Sequence, residues 1–290
     1  MKYIFIVNPV AGKGKGIVAG KIIEEYCKSI KVDYKVIYTT KKGDAKKISS
    51  LYADNYDNII YSVGGDGTLN EIVNGMAYSN ASIGIIPVGS GNDFYKNLLN
   101  NNANKIDLGM VNDRYFANVA SLGLDAEIAK FANEIKGYKI PNEMIYILSI
   151  IKNCFAFNGI EVSKENLLKK LTMITVCNGK FYGGGFKIAP NADLNDGLFD
   201  ILEVSRLKKF ETVKLLSKLV TGNHLKQKKI NFYRADNVKY YSDLTLCCNI
   251  DGEIIKGNSF EFSLKKDSIK IHQEDDIKVI KLLKDNKIVK

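Results

Sequence analysis

Short apolar runs alternate with helical patterns through the first 89 residues of the chain. The apolar runs are YIFIV from Tyr3, then YKVIYT, NIIYSVGG and SIGIIPVG, and the helical patterns between them cover 18–29, 44–52 and 69–76. Strands that alternate with helices of this length form βαβ units around a parallel sheet. Residues 1–108 are therefore predicted to form a doubly wound α/β domain.

The second half of the chain has a different pattern, with short β-type runs separated by turn residues. This pattern predicts a mainly antiparallel β-sandwich domain over 109–274, interrupted by helical insertions at about 142–154 and 208–221. The charged tail 275–290 is partly amphipathic and is a candidate to pack back on the first domain. Two domains suit 290 residues, because one domain commonly contains roughly 100 to 150 residues.

Composition excludes several classes of protein. The two histidines, His224 and His272, leave little room for a histidine triad or a zinc site, and the five cysteines form no CxxC pair, so we expect them to be reduced and buried. The N-terminal MKYIFIVNP predicts a strand rather than a secretory signal. The longest apolar run, 144–151, is far shorter than the roughly 20 residues of a membrane-spanning helix.

The net charge of +10 predicts a polyanionic partner, which could be nucleic acid, an anionic membrane leaflet or a phosphate-bearing substrate. Nucleic acid is disfavoured, because the chain has only three arginines and no helix-turn-helix, zinc-finger or RNP-like pattern.

The segment GGDGTLNE, residues 64–71, follows a buried-type strand and opens a helix. A glycine turn between a strand and a helix N-terminus directs backbone N–H groups at one point, where the helix dipole also favours anions. We therefore expect phosphate here, with Asp66 holding Mg²⁺ directly or through water. The alternative is an ordinary βα turn with a capping box between Thr68 and Glu71.

Two other loops end predicted parallel strands, NPVAGKGKG at 8–16 and PVGSGNDF at 87–94. The first has neither the Walker A nor the Rossmann spacing, and Lys13 or Lys15 could add positive charge to it. Ligands of open α/β sheets bind at the carboxyl ends of the strands. The three loops are therefore expected to converge on one crevice.

Asn8-Pro9, GGDGTLNE, GSGNDF, NDGLFD and DGE, in this order, resemble the bacterial diacylglycerol kinase and sphingosine-kinase-like lipid kinase family over nearly the whole chain. GGDGT alone would also fit NAD kinases and phosphofructokinases. The resemblance implies a nucleotide-binding α/β domain and a β-sandwich domain, with ATP and lipid meeting in a cleft between them. The ATP contacts that it implies are Asn8, Pro9, Val10, Ala11, Gly12, Thr40, Gly64, Gly65, Asp66, Gly67, Thr68, Leu69, Asn70 and Ser90. Family members often have Thr in place of Ser90 and Arg in place of Lys96, and the second difference puts a role for Lys96 in question.

Two acidic motifs lie in the second half. NADLNDGLFD resembles the Mg²⁺ loop of the family, which implies Asp193, Asp196 and the backbone carbonyl of Leu198 as ligands, and a polar β-turn is the alternative. NIDGEII, taken by itself, predicts a type I′ hairpin turn. The resemblance implies that Asp251 or Glu253 in this turn accepts the proton of the lipid hydroxyl, and the choice between them stays open.

The predicted function is an ATP-dependent lipid kinase that transfers the γ-phosphoryl group to a lipid hydroxyl, most directly that of diacylglycerol, with ATP and Mg²⁺ as cofactors. The expected partner is lipid at an anionic surface, so the chain is predicted to be cytoplasmic and peripheral to the inner face of the cell membrane. The alternatives are a kinase for a sphingoid base, phosphatidylglycerol or a polyprenol, a soluble-substrate kinase of the NAD kinase type, and a nucleotide-binding module without turnover. Exposed edge strands would also allow a homodimer.

A basic segment, residues 206–229, has two interpretations. The apolar residues predicted to share one helical face are Phe210, Val213, Leu216, Leu219 and Val220, with Lys214 and Lys218 toward the other face. Either this face packs on the β domain, or the segment docks on an anionic leaflet together with Lys226, Lys228 and Lys229.

Overall fold

The computed structural model describes residues 2–99, 103–135, 142–272 and 278–289, without the side chains at 142, 143, 146, 147, 216, 217, 220 and 221. The chain divides into two compact units. The first contains 1–108, 194–196 and 265–290, and the second contains 109–193 and 197–264.

The first unit is a parallel sheet flanked by helices. Its elements are β1 Lys2–Val7, α1 Ala11–Ile30, β2 Tyr34–Tyr38, α2 Asp44–Tyr52, β3 Asn58–Gly64, α3 Asp66–Met76, β4 Ser82–Pro87, α4 Asp93–Leu98, the start of β5 Lys105–Val111, the end of β15 Glu253–Ile271, and α8 Val279–Asp285. The strand order is β15-β4-β3-β1-β2, with parallel pairing throughout. The predicted α/β architecture is confirmed.

The core of this unit lies on both sides of its central strands. Every residue of β3 is buried, as expected for a parallel strand that is covered on both faces. Phe5 stacks on Tyr61, with ring centroids 5.0 Å apart. Val279 and Leu283 of α8 belong to the same buried cluster, so the described part of the C-terminal tail packs on this unit, and residues 275–277 of the predicted tail lie outside the described residues.

The second unit is mainly antiparallel. Its elements are the end of β5, β6 Arg114–Phe116, β7 Val119–Gly123, α5 Leu124–Ile135, α6 Asn142–Ala156, β8 Ile160–Lys164, β9 Leu167–Cys177, β10 Phe181–Tyr182, β11 Phe186–Lys187, β12 Phe199–Ser205, α7 Lys209–Thr221, β13 Ile230–Ala235, β14 Asn237–Ile250 and the start of β15. The strand order is β13-β12-β9-β7-β14-β15, and β8 pairs with β9 and β14. The predicted β-rich architecture is confirmed.

The helices of the second unit differ from the prediction in two respects. Helix α5 was not predicted, because it begins directly after β7, and the apolar run there was interpreted as strand alone. Of the two interpretations of α7, packing of the whole apolar face on the β domain is wrong at two positions, since Phe210 is 70% and Val213 50% exposed. The buried stripe is instead Thr212, Leu215 and Leu219, at helical spacing. Docking on a leaflet stays a prediction. The predicted contacts of Leu216 and Val220 lie outside the described side chains.

Two expectations from composition concern cysteines and membrane spans. All five cysteines are buried and unpaired in disulfides, as predicted. Among the described residues, no helix has the length and apolarity needed to cross a membrane.

Candidate active site

The loop between β3 and α3 presents a helix N-terminus without a side-chain cap. Gly65 occupies the N-cap position in an extended conformation, and it has no side chain that could cap the amides of the first turn. Thr68, in the first turn of the helix, is buried. Its hydroxyl oxygen accepts a hydrogen bond from Asn8 Nδ2, at 3.1 Å. A helix start of this kind favours an anion through its amides and its dipole.

The loop after β1 joins this site from a neighbouring strand. Besides contacting Thr68, Asn8 accepts the Val10 N–H through its Oδ1, at 3.2 Å. Gly12, Lys13 and Gly14 all have left-handed backbone conformations, so the regular part of α1 starts only after them. A Cβ atom on Gly12 would lie 2.3 Å from the carbonyl oxygen of Val88, which shows how closely this loop approaches the end of β4.

The loop after β4 packs directly against the glycine turn of β3. A Cβ atom on Gly89 would lie 2.5 Å from the Cα of Gly65, so the two backbones are in contact. Asn92 fixes the loop by donating through Nδ2 to the carbonyl oxygens of Pro87 and Gly89, at 3.2 and 2.6 Å. The three loops therefore adjoin one another at the carboxyl ends of β1, β3 and β4.

Two carboxylates lie at this junction. Asp66 is partly exposed, and its Oδ1 accepts the Phe94 N–H at 3.2 Å, which ties the β3 loop to the start of α4. Asp93, the residue before Phe94, is buried and forms an ion pair with Lys96 at 2.9 Å. The sequence reasoning did not single out Asp93, although it is part of the GSGNDF motif. Lys96, whose role was in question, is the partner of this buried acid.

Thr40 and Glu71 both form hydrogen bonds at the N-terminus of α2. The hydroxyl and the amide of Thr40 donate to Asp44 at 2.7 and 2.9 Å, and these hydrogen bonds lower the pKa of Asp44. Glu71 does not form the capping box with Thr68 that was considered for α3. It accepts the amides of Gly43 and Ala45 at 2.8 and 3.1 Å instead, so it caps the neighbouring helix.

The other implied ATP contacts differ in accessibility. Val10, Gly67 and Ser90 are exposed, and Pro9 and Ala11 are partly exposed. Leu69 and Asn70 are buried in α3, where their side chains serve packing and a contact with Asn74. Both lysines in the first loop are exposed, and Lys15 donates to the carbonyl oxygen of Lys287 at 3.1 Å.

The Asp-Gly-Glu turn connects β14 to β15 in the second unit. Asp251 and Gly252 both have positive φ, 48° and 97°, as a type I′ turn requires. The Asp251 carboxylate accepts the backbone amides of Ala117, Asn118 and Val119 at 2.6, 3.1 and 2.9 Å. Glu253, which pairs with Ile250 across the turn, is partly exposed.

A buried polar cluster supports this turn. Asn249 accepts the Gly252 N–H at 2.8 Å and donates to Asp125 at 3.1 Å. Asp125, buried at the start of α5, also accepts hydrogen bonds from the hydroxyls of Ser121 and Tyr182. No sequence motif pointed to Asp125, because its partners come from separate elements.

The implied Mg²⁺ loop lies between β11 and β12. Asp193 and Asp196 are exposed, and the carbonyl oxygen of the buried Leu194 accepts the Asp107 N–H at 2.6 Å. Leu198 follows Gly197, whose φ is 75°. Within the described ranges, no three acidic, histidine or cysteine side chains cluster as metal ligands. Metal binding by this loop stays a prediction.

Comparisons with known proteins agree over both units. The family model "Diacylglycerol kinase catalytic domain" matches residues 2–115, and "YegS C-terminal NAD kinase beta sandwich-like domain" matches residues 118–271. A diacylglycerol kinase from Bacillus subtilis (strain 168) is 30% identical over 244 residues, covering 74% of this chain and 77% of that protein. A diacylglycerol kinase from Staphylococcus aureus (strain Newman) is 30% identical over 280 residues, covering 86% and 84%.

Solved structures show the same fold. A crystal structure of a diacylglycerol kinase from Bacillus anthracis str. Sterne has a TM-score of 0.65 at 18% identity, covering 94% of this chain and 97% of that chain. A second crystal structure from the same strain has a TM-score of 0.71 at 21% identity, with the same coverage.

A parallel sheet with three adjoining glycine loops, joined to a β-sandwich-like unit, defines a nucleotide-dependent kinase of the NAD-kinase-like class. The length and identity of the matches then place the chain within that class. It belongs to the diacylglycerol kinase family, and the predicted ATP-dependent lipid kinase is confirmed at this level.

Proposed function

We propose that the chain transfers the γ-phosphoryl group of ATP to the free hydroxyl of diacylglycerol. The contact among the three glycine loops carries this proposal, because it gathers a helix N-terminus, close-packed backbone and the Asp66 carboxylate at one edge of the sheet. The acceptor is proposed from the relatives that are named diacylglycerol kinases.

The chain's own groups would act by positioning and by electrostatics. Phosphoryl transfer needs the attacking and leaving oxygens in line and leaves little covalent chemistry to the protein. The backbone amides of the turn from Gly64 to Thr68 are suited to hold the phosphates of ATP, and Asn8 fixes the first loop against that turn. Such donors are oriented before the reaction, so they stabilise developing charge without reorganisation.

The carboxylates of this chain suit a Mg²⁺ ion that takes only one or two of its ligands from the protein. Mg²⁺ commonly keeps several waters and takes one or two carboxylates together with substrate phosphates, where it neutralises charge on the transferring group. Asp66 is suited to this role because it is partly exposed beside the phosphate loops. The loop with Asp193, Asp196 and the carbonyl of Leu198 is proposed as a separate, structural Mg²⁺ site.

Of the two candidate bases, we assign the role to Glu253. Three backbone amides already occupy both oxygens of Asp251, which suits it to hold the turn in place. Glu253 is partly exposed in the same turn and is suited to orient the lipid hydroxyl and accept its proton.

The site of action is proposed to be the inner face of the cell membrane, reached from the cytoplasm. Diacylglycerol resides in bilayers, and the net charge of +10 favours an anionic surface. Lys208, Lys209, Lys226 and Lys228 are all exposed and available for that attraction.

The test is a kinase assay on the purified chain with labelled ATP and Mg²⁺. The acceptors are diacylglycerol, sphingosine, phosphatidylglycerol and a polyprenol in mixed micelles, and NAD in solution. We expect phosphatidic acid as the main product. Asp66→Asn should lower kcat by about 100-fold or more, whereas Asp57→Asn, at an exposed carboxylate, should not. Phosphorylation of NAD alone, or ATP binding without any turnover, would overturn the proposal.

A further inference from the structure

The outer face of α6 is a stripe of large apolar side chains. Met144, Leu148, Ile151 and Phe155 are 52, 40, 51 and 57% exposed. Their spacing of four, three and four residues places them on one side of the helix. The stripe extends about 16 Å along the helix axis, and contiguous apolar surface of this kind commonly marks an interaction site.

The buried face of the same helix is mixed in polarity, with Ile145 and Cys154 buried beside two polar residues. Ser149 and Asn153 are buried, and each is satisfied by a backbone carbonyl one turn earlier, Ser149 Oγ by Ile145 at 2.7 Å and Asn153 Nδ2 by Ser149 at 2.9 Å. A helix whose outer face contacts only water carries mostly polar and charged residues on that face. The outer face of α6 is at least as apolar as its buried face, which indicates a second, apolar environment on the outer side of the helix.

Helix α7 packs beside α6 and also exposes large apolar side chains. Phe210 and Val213 are exposed, one helical turn apart, while Thr212 is buried with its hydroxyl donating to the carbonyl of Lys208 at 3.2 Å. Lys209 and Lys214 are exposed on either side of this apolar pair. The exposed side of α7 thus combines apolar and cationic groups.

The charge of the two helices favours an anionic partner. Helices α6 and α7, with the N-cap residue Lys208, contain five lysines and two glutamates. One of the glutamates, Glu211, is paired with Lys229 at 2.9 Å. Lys152 on α6 is exposed and lies over the Phe131 ring, 3.4 Å from its centroid. Apolar side chains beside lysines match an anionic bilayer, where hydrocarbon enters the interface and cations meet the headgroups.

We propose that the stripe Met144, Leu148, Ile151 and Phe155 docks the chain on an anionic lipid bilayer and inserts into its interface, with Phe210 and Val213 as a second contact. The inference rests on the proposed function only in that the acceptor is a membrane lipid. It assigns the docking to a particular surface, which the charge of the chain alone does not.

The first test uses the absence of tryptophan from the sequence. Ile151→Trp places a single tryptophan in the stripe, which can be excited selectively over the tyrosines, and Leu51→Trp places one at a control position on α2 that is 80% exposed. With vesicles that contain phosphatidylglycerol, we expect a blue shift and quenching by brominated acyl chains for Ile151→Trp and neither for Leu51→Trp. Equal behaviour of the two variants would overturn the proposal.

The second test removes the apolar character of the stripe. Leu148→Glu with Ile151→Glu should weaken vesicle binding by about tenfold or more, with unchanged ATP binding and unchanged turnover of dispersed short-chain diacylglycerol. The matched control, Leu51→Glu with Tyr56→Glu, replaces two apolar side chains that are more exposed and should bind vesicles like the wild type. Wild-type binding by the stripe variant would contradict the proposal.

Light scattering shows whether the stripe binds a second copy of the chain rather than a bilayer. A wild-type dimer that the stripe variant converts to a monomer would overturn the proposal in favour of self-association. If no lipid were phosphorylated by the wild type, the proposed function would fall, whereas the fluorescence result, which needs no ATP, would still decide the docking.

Discussion

Asp251 and Glu253 lie two residues apart in one turn, yet their surroundings assign them different tasks. Glu253→Gln should lower kcat by about 10² to 10⁴-fold, with little change in ATP affinity or melting temperature, because a base acts in the transition state. Asp251→Asn should instead lower the free energy of unfolding by about 1 to 3 kcal/mol, because its amide group would oppose the backbone N–H groups that the carboxylate now binds.

Thermal melts and steady-state kinetics on both variants check this division. Glu165→Gln is the control, since Glu165 is an exposed acid in another hairpin turn with positive φ, and it should change neither quantity. If Asp251→Asn lost turnover at full stability, the base would be Asp251.

Glu203 is a buried acid, and its hydrogen-bond partners determine its charge state. Burial alone would raise its pKa, but hydrogen bonds from Lys169 at 2.6 Å, Tyr240 at 2.8 Å and Tyr233 at 3.0 Å outweigh burial and hold the pKa below 4.5. Burial is also the main cause that raises the pKa of both tyrosines, so they stay protonated as donors.

The expected consequence is a specific dependence of stability on pH. Because the folded pKa of Glu203 is lower than the unfolded one, its contribution is complete above about pH 4.5 and is lost as the pH falls through the folded pKa. Glu203→Gln should lower the free energy of unfolding at pH 7 by about 1 to 3 kcal/mol and reduce its decline in acid. Chemical denaturation from pH 3 to 7 measures both effects, and an unchanged acid slope would contradict the assignment.

At the scale of elements, glycine substitutions can test the close contact between the loops after β3 and β4. A methyl group on Gly67, in the first turn of α3, would find open space within 4 Å, whereas a methyl group on Gly89 would meet the Gly65 backbone. Gly89→Ala should therefore destabilise the fold.

Gly67→Ala tests whether the open space beside Gly67 is used by bound ATP rather than by packing within the protein. The melting temperature should stay the same or rise, because alanine is the better helix former. ATP affinity should fall, because the new methyl group would occupy room that we assign to phosphate. Calorimetric titration with ATP measures the affinity, and unchanged binding would place the phosphates elsewhere.

The succession of strands and helices along the first unit, and the loops at the strand ends, could be predicted from the sequence, because both depend on local signals. Continuous apolar runs such as β3, glycine turns and the Asp-Gly pair at 251–252 each encode their own conformation. The stripe of α7 that is buried could not be predicted in this way, since local spacing allows more than one apolar stripe. Only the tertiary contact selects Thr212, Leu215 and Leu219.

The contacts of the candidate sites were not predictable in the same way. Asp125 is bonded to Asn249, 124 residues later, and Asp251 to the amide of Ala117, 134 residues earlier. Glu71 was expected near its own helix start but caps α2. Pairings of this kind depend on how separate elements pack, and no motif within one segment specifies them.

At the scale of the whole molecule, the excess of 42 basic over 32 acidic residues raises the question of where the positive charge acts. Lys208, Lys209, Lys226 and Lys228 are exposed around α7 in the second unit. Each near-surface cation is worth on the order of 1 kcal/mol at an anionic leaflet, and the attraction is screened within about 8 to 10 Å at ordinary ionic strength.

Charge reversal at these four lysines tests whether the position of the positive charge or the total net charge determines binding to anionic vesicles. Replacement of all four by Glu lowers the net charge from +10 to +2, and the same replacement at Lys21, Lys31, Lys46 and Lys47, exposed in the first unit, gives an equal total. We expect only the α7 variant to lose binding to anionic vesicles and lipid phosphorylation, with ATP binding spared. Co-sedimentation across a salt series should show the difference shrinking as salt rises. If the two variants bound vesicles equally, total charge rather than the α7 lysines would govern the attraction, and α7 would serve packing alone.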